Sequence, residues 1–231
     1  MAEIFTAEEW TAIALSLRVA CVAVVASLPL GIAVALLLAR GRFPGRTLLS
    51  AVVHLPLVMP PVVTGFLLLL AFGRKGPVGA FLDQHFGIVL AFRWTGAALA
   101  CAVMGFPLMV RAIALSIEAI DTRLEQAAST LGAGRIAVLV TVTLPLALPG
   151  ILAGTVLSFA RALGEFGATI TFVSNIPGET QTIPSAIYSL IQTPGGDGAA
   201  LRLTAMSVAI SLGALLVSEA IARRARREEA R

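Results

Sequence analysis

Apolar residues gather in five long runs along the chain, separated by shorter polar stretches. A helix rises about 1.5 Å per residue, so one bilayer crossing needs roughly 20 mostly apolar residues. The stretches that reach this length are residues 19–39, 47–72, 88–110, 136–160 and 203–222. Arg93 enters the third run, unless that helix begins near Trp94 and the arginine reaches back to the headgroups. The pattern predicts an all-α, polytopic membrane helix bundle with about five transmembrane helices.

The polar segment between the last two runs, residues 164–200, contains shorter apolar pieces. Each piece is too short for a crossing, so we expect re-entrant or interfacial segments in an outer loop. Pro184 fits the first turn of a short helix that ends near Ile191, because its missing N–H costs nothing there. A hidden sixth crossing would reverse the side of the C-terminus and leave the distribution of arginines unexplained.

Composition supports a membrane protein, since 58% of the residues are hydrophobic and only 13% are charged. If the five runs alternate across the bilayer, most of the 17 Lys and Arg residues fall on one side, and that side is expected to be cytoplasmic. The N-terminus is then periplasmic, and the C-terminus is cytoplasmic. The first 17 residues contain no Lys or Arg, so no cleaved leader is expected. The net charge of +4 and the basic tail suit anionic membrane lipid and require no nucleic acid.

The chain offers no group of residues suited to catalysis. No Ser/His/Asp set or metal cluster emerges from the sequence. Its one lysine, Lys75, lies in "GRKG" and lacks the following Ser or Thr of an ATP-binding P-loop. A powered transporter built on this chain would therefore need a partner that hydrolyses the nucleotide, and the chain itself is expected to hold no metal or cofactor.

Residues 121–135, on the arginine-rich side, predict a short helix outside the membrane. Thr122 and Glu125 have the spacing of a capping box, and Gly132 and Gly134 can supply the left-handed conformations that end a helix. About nine residues lie between, roughly 14 Å of helix. A small apolar stripe is formed at helical spacing by Leu124, Ala127, Ala128 and Leu131. Periodicity alone allows two interpretations: a docking surface for another protein, or a helix lying against its own bundle.

The same stretch resembles the signature loop of the permease subunits of binding-protein-dependent ABC importers. That signature is Glu-Ala-Ala, a glycine after three further residues and, after nine more, Ile-x-Leu-Pro. The matching positions are Ala127, Ala128, Gly132, Leu144 and Pro145. Gln126 stands where the signature has glutamate, with Glu125 one residue early, and Val142 replaces the isoleucine. The glutamine leaves open which of the two side chains makes the polar contact.

The resemblance implies the fold of a type I ABC importer permease, with residues 1–231 as a single transmembrane domain. It implies that the short helix is the coupling helix, which docks in a groove of a cytoplasmic ATPase. Two copies of this chain would pair with two ATPase subunits, which bind ATP and Mg, and a periplasmic binding protein would deliver the substrate. The chain would be a subunit of a bacterial inner-membrane importer that works by alternating access.

Further stretches resemble the sulfate and molybdate branch of these permeases, namely residues 54–65, 106–112 and 158–196. "ALGEFGA" is common to sulfate permeases, whereas "SNIPGETQTIPSAIY" favours molybdate. Sulfate, thiosulfate or tungstate stays an alternative substrate. An alternative from another class is an ion-coupled secondary transporter, which needs acidic or histidine coupling residues within its spans. Glu219 is the sole acidic residue in the five runs, which is a poor set for that role.

Two groups of residues are candidates for the path of an oxyanion. A tetrahedral dianion needs hydrogen-bond donors, and the available residues near the outer end of the fourth run are Arg161, Thr169, Thr171 and Ser174. Glu165 lies four residues after Arg161, so the two can instead form a helix ion pair that shapes the path. The second group, Pro56, Pro60 and Pro61, interrupts the second run and predicts either a kinked, pore-facing helix or a bend that merely fits the bundle.

Overall fold

The computed structural model describes residues 5–229, and those residues form helices and connecting loops without a β-strand. The helices are α1 (Ala7–Arg40), α2 (Arg46–Val58), α3 (Pro61–Phe72), α4 (Pro77–Phe86), α5 (Trp94–Glu118), α6 (Thr122–Thr130), α7 (Arg135–Val138), α8 (Leu144–Leu163), α9 (Gly167–Val173), α10 (Ile183–Ile191) and α11 (Asp197–Glu229). A π-helical turn, Leu139–Thr143, joins α7 to α8. The all-α prediction is confirmed.

Four helical stretches of the described residues are long and apolar enough to cross a membrane: α1, α5, Arg135–Leu163 and Asp197–Val217. The second apolar run is a fifth candidate, formed by α2 and α3 together, with a bend of 115° between them. The helix of the third apolar run is α5, which begins at Trp94, so Arg93 lies before its first residue, as the sequence allowed. The first helix extends further than its apolar run because Thr6 and Glu9 form a capping box that starts it at Ala7.

The interior of the bundle is built around α5, which packs between α1 and α8. Small residues permit this approach, since a Cβ added to Gly105 would collide with Ser158, and one added to Gly150 would collide with Ser116. Larger buried side chains then fill both sides of α5, including Met104, Met109, Ile113 and Ile117. The position of α8, which follows the predicted coupling helix, is therefore fixed against α5 along much of its length.

Residues 164–200 contain two short helices, α9 and α10. Neither has the length of a crossing, and the described part of this segment holds no sixth transmembrane helix. Pro184 is in the first turn of α10, which ends at Ile191 as expected. α9 packs against α3 and α5, whereas α10 packs against α11 and α1. The segment therefore covers one end of the bundle with short pieces rather than crossing it again.

Candidate functional site

The predicted coupling helix exists as α6, but its cap differs from the expectation. Asp121 is the N-cap, and its carboxylate accepts a hydrogen bond of 2.9 Å from the backbone N–H of Arg123. Thr122 is then the first helical residue, so the proposed Thr122–Glu125 capping box is wrong. Asp121 is itself a strong capping residue one position earlier, and this leaves the Glu125 carboxylate available for other contacts.

The loop after α6 uses only one of its two glycines in a left-handed conformation. Gly132 has φ of +89°, and the backbone N–H of Ala133 donates back to the carbonyl of Ala128. Gly134 has φ of −69° and precedes the first residue of α7, so the expectation that it also ends α6 is wrong. Gly132 therefore sets the turn between the two helices.

The apolar stripe of α6 lies on the surface. No residue of this helix is buried, and the exposed fractions of Leu124 and Leu131 are 50% and 88%. Ala127 is exposed, and Ala128 is half-buried. A helix lying against its own bundle would bury this stripe, so the arrangement favours a surface that another protein covers.

Glu125 faces the bundle rather than the surface. Its Oε1 atom accepts a hydrogen bond of 2.8 Å from the Thr143 hydroxyl and lies 3.4 Å from Nη2 of Arg40. The same Nη2 donates to the backbone carbonyl of Ile120 over 3.1 Å. The side chain of the neighbouring Gln126 is exposed and forms no hydrogen bond with the described residues. Gln126 is thus the side chain of the pair that is left for an external contact.

Leu144 and Pro145, the last matching residues of the signature, open α8. A proline within a helix lacks the N–H of the usual ladder and collides with the carbonyl four residues earlier. Here the chain widens into the π-helical turn just before Pro145, in which the N–H of Leu144 reaches the carbonyl of Leu139. This turn ends at Thr143, the residue that donates to Glu125. The signature proline therefore lies next to the contact between α6 and the membrane helix.

Among the predicted path residues, Arg161 and Glu165 form an ion pair with 2.7 Å between Nη1 and Oε2. The Glu165 side chain is 1% exposed, and its Oε1 accepts a 2.8 Å hydrogen bond from the N–H of Ala168 at the start of α9. Of the two interpretations of Arg161, the structure therefore shows the ion pair with Glu165. It braces the junction of α8 and α9.

The hydroxyls predicted for the path are not gathered around Arg161. Thr169 and Thr171 donate to carbonyls of their own helix, those of Phe166 and Gly167, over 2.9 and 2.8 Å. Ser174 is exposed and follows the last residue of α9, with φ of +66°. Their role as donors to an anion stays a prediction, since each threonine would first have to release its backbone acceptor.

The three prolines of the second run lie at or near its break. Pro56 is within α2, Pro60 precedes the first residue of α3, and Pro61 is that first residue. The break lies close to α9, because a Cβ added to Gly167 would come within 2.8 Å of Cβ of Pro61. The break, the α9 helix and the ion pair of Arg161 with Glu165 therefore form one continuous region.

No group of three or more His, Cys, Asp or Glu residues that could hold a metal ion occurs within residues 5–229. Nδ1 of His54 lies 2.7 Å from the carbonyl of Ser50 in its own helix. In the tautomer that carries its hydrogen on Nδ1, His54 donates to this carbonyl. Such a hydrogen bond to the preceding turn is ordinary for a histidine within a helix.

Residues 27–227 match the model of a family described as the binding-protein-dependent transport system inner membrane component. The chain belongs to this family. It is 61% identical over 228 residues to the molybdenum transport system permease protein ModB of Escherichia coli (strain K12), covering 99% of this chain and 100% of that protein. Its identity to the ModB protein of Haemophilus influenzae is 59% over 216 residues, or 94% of each chain.

Solved structures support the fold assigned to this inner membrane component. A bacterial ABC transporter involved in the import of the acidic polysaccharide alginate has a chain with a TM-score of 0.74 to this one. The two are 20% identical, and the match covers 95% of this chain and 80% of the other. The helix bundle is therefore that of an ABC importer permease.

Sequence reasoning missed two contributors to the site of this inner membrane component, Arg40 and Thr143. Arg40 is the last residue of α1, far from the signature in sequence, and Thr143 stands at the signature position where any residue is allowed. The available signal was Glu125, a carboxylate on the side where most arginines lie, which predicts a basic partner but not which one.

Proposed function

We propose that the chain is the membrane-spanning subunit of an ATP-driven importer that moves molybdate from the periplasm to the cytoplasm. The observation that carries the coupling role is the exposed stripe of α6, a docking surface on a chain that has no P-loop of its own. The choice of molybdate rests on identity along nearly the whole chain to relatives named as molybdenum transport permeases.

The proposed complex contains two copies of this chain, two cytoplasmic ABC ATPase subunits and a periplasmic molybdate-binding protein. Each α6 docks in one ATPase subunit, and the ATPase holds ATP and Mg. Closure of the ATPase pair on ATP draws the two α6 helices together and opens the path outward to the binding protein. Hydrolysis returns the path to the inward-open state, and no bond of the anion changes. The permease is therefore not itself an enzyme.

The proposed placement in the bacterial inner membrane has the N-terminus in the periplasm and the C-terminus in the cytoplasm, with residues 1–231 as one transmembrane domain. This orientation puts α6 and most arginines on the cytoplasmic side. The basic tail then faces anionic lipid rather than nucleic acid. Residues 164–200 face the periplasm, where the binding protein docks.

The proposed anion path runs past the break between α2 and α3 and past α9. The ion pair of Arg161 with Glu165 keeps the outer part of this path in shape, and its charges are satisfied by each other. A soluble binding protein supplies affinity, so weak contacts along the path are sufficient, and the hydroxyls of Thr169, Thr171 and Ser174 are the proposed candidates for them.

The coupling role is tested by making the stripe polar. In membranes that contain the complete transporter, the double substitution Leu124→Gln and Leu131→Gln is expected to lower both ATPase association and molybdate uptake about tenfold or more, because apolar anchors dominate a docking interface. Leu48→Gln at the start of α2 is the matched control, since Leu48 is also an exposed leucine and lies outside α6. Uptake and association at the control's level in the double variant would refute the coupling role.

The substrate and the energy source are tested by uptake of labelled molybdate into vesicles. We expect uptake to require ATP, to persist when ion gradients are collapsed, and to resist excess sulfate and thiosulfate. Equal competition by sulfate would favour the sulfate alternative, and uptake without ATP would favour an ion-coupled secondary transporter. Tungstate is expected to compete, because its size and charge nearly match those of molybdate.

A further inference from the structure

The contact that holds α6 to the bundle consists of three side chains, Arg40, Glu125 and Thr143, and we name it the coupling clamp. Arg40 ends α1, Glu125 belongs to α6, and Thr143 ends the π-helical turn that leads into α8. We infer that Arg40 and Thr143 are positioning residues, which hold Glu125 so that a displacement of α6 by the ATPase reaches α1 and α8. The inference rests on the proposed function.

The clamp is needed because α6 has little else to hold it. The helix has nine residues, none of them buried, and such a short helix is barely stable on its own. On one side it follows α5 after a short connection, and on the other it is followed by the turn at Gly132. A push on an unclamped α6 could be absorbed by these connections. The side chain of Glu125 removes that freedom by fixing α6 directly to two other elements.

The contacts of the clamp connect α6 to particular membrane helices. Arg40 contacts both the Glu125 carboxylate and the carbonyl of Ile120, so the end of α1 is tied to α6 and to the connection between α5 and α6. Thr143 ties the same carboxylate to the start of α8. Because α5 packs against both α1 and α8, a force applied to Glu125 reaches three membrane helices that already pack together.

Charge and burial distinguish this pair from an ordinary surface pair. The side chains of Arg40 and Glu125 are 27% and 21% exposed, and Nε of Arg40 is buried without a partner among the described residues. Partly desolvated charges interact more strongly than exposed ones. Arg46 and Glu118 offer a comparison, since they lie 3.7 Å apart with exposed fractions of 49% and 46%. Their contact does not involve α6, so they provide a matched control.

The experiment measures molybdate uptake and ATP hydrolysis in the same vesicles, with the complete transporter and its binding protein. Glu125→Gln and Arg40→Gln are expected to lower the molybdate taken up per ATP hydrolysed by about tenfold, and Thr143→Val by about threefold, because each loses part of one shared network. Arg40→Lys is expected to recover part of the ratio, since it keeps the charge. The double variant Arg40→Gln with Glu125→Gln is expected to be no worse than either single variant.

Controls separate this role from a loss of folding. Glu118→Gln and Arg46→Gln are expected to match the wild-type ratio. An unchanged ratio in Glu125→Gln would overturn the inference. A parallel fall of ATPase association, hydrolysis and uptake would also overturn it, because a folding or docking defect has that signature. A wild-type complex without ATP-dependent molybdate uptake would instead overturn the proposed function, and the inference with it.

Discussion

At the scale of single residues, a shift of one position decides which side chain of α6 faces the bundle. Successive helical residues point about 100° apart, so Glu125 and Gln126 cannot serve the same contact. The structure turns Glu125 toward Arg40 and Thr143 and leaves Gln126 exposed. The glutamine at the signature's glutamate position is therefore compatible with a docking face that uses an uncharged polar contact.

Gly132 and Gly134 allow a prediction that isolates backbone conformation. A Cβ would meet nothing within 4 Å at either glycine, but only Gly132 has a positive φ. Gly132→Ala is expected to strain the turn by about 1–2 kcal/mol and to weaken ATPase association, whereas Gly134→Ala should leave it unchanged. Association is measured by titrating the ATPase onto the permease in lipid nanodiscs. Equal affinities of the two variants would show that the turn does not set the docking geometry.

At the scale of helices, the sequence predicted which elements exist better than where they begin. Periodicity and length identified α6, α10 and the long helices, because apolar runs and short stripes are local properties. It misplaced the cap of α6, since Asp121 and Thr122 are neighbours that can both cap a helix. The sequence also did not predict the size of the 115° bend between α2 and α3. Prolines mark a break but do not specify its angle, which depends on contacts with elements distant in sequence, and here α3 packs against α9.

The junction of α8 and α9 permits a prediction about the ion pair of Arg161 with Glu165. Arg161→Met leaves the buried Glu165 carboxylate uncompensated, so the free energy of unfolding is expected to fall by about 2–4 kcal/mol. Adding Glu165→Gln should restore much of it, because the amide oxygen can still accept from the N–H of Ala168. Thermal unfolding in detergent measures both variants. Arg46→Met, which breaks an exposed pair, is the control and should change little.

The same variant also tests the alternative role of Arg161. If the guanidinium contacts the anion, Arg161→Met will raise the KM for molybdate uptake without a matching loss of stability. If it braces the junction, stability will fall, and the double variant will recover both stability and uptake. The observed 2.7 Å pair favours the second result, since an arginine paired with a buried carboxylate is largely neutralised toward an anion.

At the scale of the whole molecule, the number of membrane crossings depends on whether α2 and α3 together cross the bilayer. α2 and α3 have 13 and 12 residues, about 20 and 18 Å of helix, so neither crosses a bilayer alone. As one broken span, the pair gives five crossings and places the basic loops and tail together in the cytoplasm. As a re-entrant loop, it gives four crossings and places the loop that contains α6 on the side opposite to Arg42, which is incompatible with the 3.4 Å contact of Arg40 with Glu125 on α6. The coupling role requires the first arrangement.

Single cysteines distinguish the two topologies. In a Cys21→Ser background, in which Cys101 is buried, cysteine replaces one exposed residue at a time: Arg42 between α1 and α2, Gln84 on α4, Thr130 on α6, or Gln192 after α10. A membrane-impermeant maleimide is expected to label the Gln84 and Gln192 positions in right-side-out vesicles and the Arg42 and Thr130 positions only in inside-out vesicles, because the basic loops stay in the cytoplasm. A re-entrant pair would still leave Gln84 and Gln192 opposite Thr130, but it would place the Arg42 position on the side of Gln84 rather than on the side of Thr130. That labelling would place Arg40 and Glu125 on opposite sides of the bilayer and remove the basis of the coupling clamp.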